Sequence, residues 1–107
     1  MANTFKASTS AVNSTPGTIV YTTPSNTSSV IHTLMVSNTS TVPQSVTVQF
    51  IDQSAGTTLR ILTGAPIPVG GTIFFPKPIN LEAGDAVRVT GSNAGTLEAY
   101  VGVLEIT

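Results

Sequence analysis

The 107 residues suffice for one domain and are too few for two. Only 8% are charged and the net charge is −1, so four Lys and Arg leave no basic footprint for nucleic acid. Cysteine is absent, which removes disulfides, thiolate nucleophiles and zinc–thiolate sites, and no run of 18 apolar residues exists to form a spanning helix.

Residues 1–16 are small and polar, with isolated apolar positions at Phe5, Ala7, Ala11 and Val12, and they close on Thr15-Pro16-Gly17. So little apolar area does not offset the backbone entropy of ordering. The segment is expected to be an N-terminal arm that orders only against a neighbour, with Phe5 and Val12 making that contact. Its opening, Met1-Ala2-Asn3-Thr4-Phe5-Lys6, lacks the apolar stretch of a secretory signal, so the chain is expected to assemble in the cytoplasm where it is made.

Residues 17–107 are expected to form the folded domain. Thr and Ser fill 29 positions of the sequence and Val and Ile another 20, and β-branched side chains suit a pleated surface. The first strand is expected over Gly17–Thr23, followed by a Pro24–Ser29 loop. In Val30–Asn38, Val30, His32, Leu34 and Val36 fall on one face, with Ile31, Thr33, Met35 and Ser37 on the other. After a polar turn, Ser45–Gln53 alternates most cleanly, Val46, Val48 and Phe50 against Ser45, Thr47 and Gln49: a core face and a wet one. Ser54-Ala55-Gly56 turns into Thr57–Leu62, its hairpin partner.

Gly64–Gly71, with Pro66, Pro68 and a Gly pair, is expected to be an irregular crossing. Thr72–Phe75 is a short strand ended by Pro76-Lys77-Pro78. Ile79–Leu81 continues extended into the Glu82-Ala83-Gly84-Asp85 turn, where Gly84 supplies positive φ. Ala86–Thr90 and Thr96–Ile106 are the last strands, joined by Gly91-Ser92-Asn93-Ala94-Gly95. The pattern predicts an all-β, single antiparallel sandwich of jelly-roll type with about eight strands. The final strand is apolar on both faces, so both need cover. Leu97, Ala99, Val101 and Val103 suit the core, and Tyr100, Leu104 and Ile106 are expected to meet a neighbour, an aromatic hydroxyl being favoured where one end stays wet.

The residues offer little chemistry. His32 is the only histidine, lacks a motif-spaced metal partner and reads as structural. Among the acids Asp52, Glu82, Asp85, Glu98 and Glu105, Glu82 and Asp85 flank one turn, as half a calcium loop might, but calcium needs six to eight oxygens. They are expected to be solvated turn acids. No Gly-x-Ser-x-Gly elbow occurs, and Tyr21 and Tyr100 make a thin platform for a sugar. Asn13, Asn26 and Asn38 open glycosylation-type triplets expected by chance in so Ser- and Thr-rich a chain. No catalytic, cofactor or metal residue is expected, and no enzyme.

From Val36 onward a likeness emerges. Val36-Ser37-Asn38 through Phe50-Ile51-Asp52, then Ile67–Thr72, Ile79–Thr90 and Val103–Ile106, resemble small β-sandwich virion proteins of tailed bacteriophages, especially those of cyanobacteria and other marine bacteria. The likeness covers residues 30–106 and leaves the arm unmatched. Its Leu81-Glu82-Ala83-Gly84-Asp85-Ala86-Val87 core also looks like a turn and strand of jelly rolls in the tumour-necrosis-factor class. The resemblance implies a non-enzymatic virion component, most specifically a head decoration (cement) protein that stabilises the capsid by contact with the major capsid protein. A collar, tail or fibre subunit is the alternative, and a carbohydrate-binding module for host attachment the rival from another class. Many copies make weak contacts effective, so a homo-oligomer is expected, a trimer favoured, with no nucleic-acid or membrane partner.

Overall fold

The computed structural model describes residues 3–14, 17–75, 78–93 and 95–107, and every regular element in it is a β-strand. The outermost ends of the expected arm, the Pro76-Lys77 break and Ala94 in the last turn lie outside the described residues. The strands are β1 (Asn3–Ala11), β2 (Thr18–Thr22), β3 (Ser28–Asn38), β4 (Gln44–Asp52), β5 (Thr57–Ile67), β6 (Thr72–Phe74), β7 (Ile79–Leu81), β8 (Ala86–Gly91) and β9 (Leu97–Ile106).

They form two antiparallel sheets. One runs β1-β9-β3-β6, with β7 also on β3, and is called the β9 sheet; the other, the β4 sheet, runs β2-β8-β4-β5. Pairing goes from the chain ends inward: β1 with β9, β2 with β8, β3 with β6 and β7, and β4 with β5. A two-stranded ribbon wrapped in this way is a jelly roll. Nine strands appear rather than about eight because β3 has its edge partner in two pieces. β6 takes Met35–Ser37 and β7 takes Ser29–Ile31.

The core lies between the sheets, where Ile31, Leu34, Val36, Val101 and Val103 meet Val46, Val48, Val87 and Val89. In β9, Leu97, Ala99, Val101 and Val103 are buried and Tyr100, Leu104 and Ile106 are half-buried, so the aliphatic set is the inward one.

Several expectations are corrected. The supposed arm is a strand: Asn3–Ala11 pairs with β9 in unbroken register from Ile106 to Glu98. Its side chains stay almost wholly exposed, so backbone pairing rather than burial holds it. Val12, assigned to an interface, fills the core at 1% exposure; its N–H donates to the Leu97 carbonyl at 3.0 Å, and a neighbour cannot reach it. β5 does not stop at Leu62 but runs to Ile67 through Gly64 and Pro66, which an edge strand tolerates because one of its sides carries no ladder.

His32 is the bulge residue of β3. Ile31 pairs with Val103 and Thr33 with Gly102, leaving His32 unpaired between them. The extra residue reverses the alternation, so Ile31 and Leu34 both point inward while His32 turns outward with Val30 half-buried beside it. Its imidazole lies over Gly102, where a Cβ would meet the ring at 2.8 Å.

Candidate interaction surface

The register places side chains on the outer face of the β9 sheet row by row. Leu104 stands between Phe5 and Val30, and Tyr100 between Thr9 and Met35, with Phe74 beyond Met35 on β6. Ile106 lies next to Asn3 and Ser28. Phe5 and His32 meet edge to face, ring centres 6.1 Å apart. Four of the five residues expected at an interface, Phe5, Tyr100, Leu104 and Ile106, therefore share one face, and Val12 does not. Phe5 and Phe74 remain 75% and 63% exposed, an unusual placement for large aromatic rings. Met35 and Phe74 were missed as surface residues. The adjacent Phe74-Phe75 pair was an available signal, since neighbours in a strand must face opposite ways.

At one end of the sandwich the interior is polar. Tyr21 of β2 reaches across to the β9 sheet, its hydroxyl donating to Glu105 at 2.6 Å and lying 2.7 Å from the Ser29 hydroxyl. Lys6 of β1 donates to the other Glu105 oxygen at 3.0 Å. Glu105 is buried, so its alternation points it inward with Val103, and this clasp supplies the partners a buried carboxylate requires. Burial, and then the hydrogen bond to Glu105, pushes the Tyr21 hydroxyl up to about 12. The Tyr21 hydroxyl and, after it, Lys6 hold the Glu105 carboxyl below its usual range, against the opposing effect of burial.

These directions set two pH windows. The Tyr21 contribution is present below pH 10 and is lost as pH rises toward about 12. The Glu105 contribution is present above the unfolded carboxyl pKa and is lost as pH falls through the depressed folded value. Melting temperatures across the alkaline range are expected to fall more steeply for the parent than for Tyr21→Phe, and Glu105→Gln to flatten the acid limb. Parallel alkaline curves for parent and Tyr21→Phe would show that the hydroxyl is not held in the clasp.

Asp85 is not a solvated turn acid. It is buried, and its two oxygens accept from the Gln53 and Glu82 backbone N–H groups at 3.0 and 2.9 Å, tying the β4–β5 hairpin to the turn before β8. Asp52, Glu82 and Asp85 each bring a carboxylate oxygen within 4.8 Å of the others. Asp52 accepts from the Ser54 hydroxyl and the Ala55 N–H, so Asp52 and Asp85 both serve local loop geometry. Asp85→Ala leaves two backbone donors without acceptors, and about 2–4 kcal/mol of stability is expected to be lost, read from urea unfolding midpoints. Asp85→Asn, which keeps one acceptor, is expected to lose less.

Beside Tyr100, an open depression of about 400 Å³ is lined by Thr9, Ala11, Ser37 and Glu98. It brings one carboxylate and hydroxyl groups together, without a base–nucleophile pair.

No family model matches this sequence, and no curated protein does. Among solved structures, the chain is similar to a protein of the T13 IBDV viral particle, with TM-score 0.57 and 10% identity. The match covers 96% of this chain and 30% of that one, so the chain spans less than a third of its length. At this identity the likeness bears on the sandwich fold. No helix is long and apolar enough to cross a membrane among the described residues.

Proposed function

We propose that this chain is a structural virion protein of a tailed bacteriophage, most specifically a head decoration (cement) protein that binds and stabilises the capsid shell. The observation that carries the reading is the outer face of the β9 sheet, where Phe5, Val30, Met35, Phe74, Tyr100 and Leu104 form a partly exposed apolar surface on a chain of very low charge. Such a face works by contact. The resemblance of residues 30–106 to small phage virion proteins supports this reading, and the jelly roll shared with a viral-particle protein is compatible with it. Tyr100, Leu104, Ile106 and Phe5 meet the shell, with the major capsid protein as partner, and multiple copies make modest individual contacts sufficient. The chain then belongs to the virion, assembled in the host cytoplasm.

Cryo-electron microscopy of the particle encoded by the same genome tests this. Density for the jelly roll on the head, at a copy number comparable with that of the shell subunit, is the expected result. Density restricted to the collar, tail or fibres would move the protein there, and absence from purified particles would end the virion reading.

A further inference from the structure

A sheet edge carries unpaired N–H and C=O groups that invite another strand, and proteins guard such edges with brevity, bulges, proline or charge. Three of the four edges in this molecule are guarded. β6 and β7 have three residues each. β2 has five, with its register broken between Ile19 and Tyr21. β5 is long, but its register shifts twice, Gly64 takes a left-handed φ of 59°, and Arg60 and Pro66 lie on it.

β1 is the least guarded: charge is its one such device. Its nine residues contain no Pro or Gly and no bulge. That charge, Lys6, is 55% exposed but is paired with Glu105 at 3.0 Å, which neutralises it. Among the described residues its open side is used only at the last position, where the Ala11 carbonyl accepts from the Thr18 hydroxyl at 3.2 Å.

We infer that β1 is the surface through which two copies of this chain join, their Asn3–Ala11 strands pairing antiparallel about a two-fold axis at Ala7, so that the two β9 sheets become one continuous sheet. A second copy brings the same unpaired edge, and the strand's own sequence selects the register. A two-fold axis perpendicular to the sheet pairs only residues of the same face, so the axis must lie midway between the two copies of one residue. Centred on Lys6, two like charges would stand opposite each other. Centred on Ala7, Lys6 faces Ser8, Phe5 faces Thr9, Thr4 faces Ser10, and the whole strand overlaps. The two-fold replaces the trimer expected from sequence, because this edge is self-complementary and needs no second surface. The inference rests on the sheet edges and holds whether or not the chain decorates a virion.

The full chain has no cysteine, which permits a direct test. Opposed residues of antiparallel strands stand about 4.5–5.5 Å apart at Cα, within disulfide reach. Ala7→Cys is therefore expected to oxidise readily to a two-chain species, whereas Asn3→Cys, opposite Ala11 of the other copy, is not. In sedimentation, the parent is expected at twice the 11.0 kDa chain mass, Ala7→Lys at the chain mass, and Thr58→Lys, a charge added to β5, at the parental value. A monomeric or trimeric parent would overturn the inference. Equal cross-linking of both cysteine variants would overturn the register, and dissociation by Thr58→Lys but not Ala7→Lys would assign the contact to β5.

Discussion

Val101→Glu is expected to leave no folded protein, whereas Leu104→Glu, three residues along the same strand, is expected to fold. Val101 is fully buried in the centre of β9, flanked by Ser8 and Leu34. Replacing it forfeits about 1.5–3 kcal/mol of aliphatic burial and places a carboxylate among the aliphatic side chains of the core. The combined loss exceeds about 4–5 kcal/mol, comparable with the whole stability of a small domain, about 5–15 kcal/mol. Leu104 is half-buried on the outer face, between Phe5 and Val30, and a carboxylate there keeps contact with water. Its variant is expected to stay within about 1 kcal/mol of the parent and, under the proposed function, to lose binding to the shell. Circular dichroism melts of both variants decide the assignment of faces. An unfolded Leu104→Glu with a folded Val101→Glu would reverse it.

Deleting residues 2–14 is expected to destabilise the domain by about 3 kcal/mol or more, even though nearly every β1 side chain is exposed. Three contributions are lost together. Val12 leaves the core, where it sits beside Leu97 and Gly91; a Cβ on Gly91 would lie 3.3 Å from it. The Gly91 N–H loses the Asn13 carbonyl at 2.9 Å, and β9 loses a nine-residue ladder along one side. Glu105 loses Lys6, and its buried carboxylate keeps the Tyr21 hydroxyl as donor. Val12→Ala separates the first contribution from the rest and is expected to lose about 2 kcal/mol, since the cavity it leaves closes only in part. A truncated chain that melts with the parent would return these residues to the status of a free arm.

The period-two alternation of Val46, Val48 and Phe50 was enough to define β4 and its inward face, whereas in β9, apolar on both faces, the choice came from the unbroken aliphatic set Leu97, Ala99, Val101 and Val103. Each such side chain reports its own burial locally. The Glu82–Asp85 turn was equally legible, because Gly84 with φ of 88° meets a local steric demand. The outward placement of Tyr100, Leu104 and Ile106 was legible, since an apolar residue on the face opposite the core must lie outside; Phe5, read as part of an arm, joins that face only through the β1–β9 pairing.

Tertiary structure alone decided the rest. β1 carries no apolar alternation, and it is a strand because β9 offers it a ladder from more than eighty residues away. The His32 bulge is invisible in Val30–Val36, since the hydrophobic pattern looks continuous and only the register with Gly102 and Val103 reveals the extra residue. Tyr21 and Glu105, separated by 84 residues, give no sign of each other in the sequence; the closed roll seats the half-buried Tyr21 hydroxyl on the buried Glu105 carboxylate. Side-chain periodicity records which way a residue faces. Backbone pairing, bulges and buried ion clusters depend on which distant strand arrives alongside, and that is fixed only when the sheets have closed.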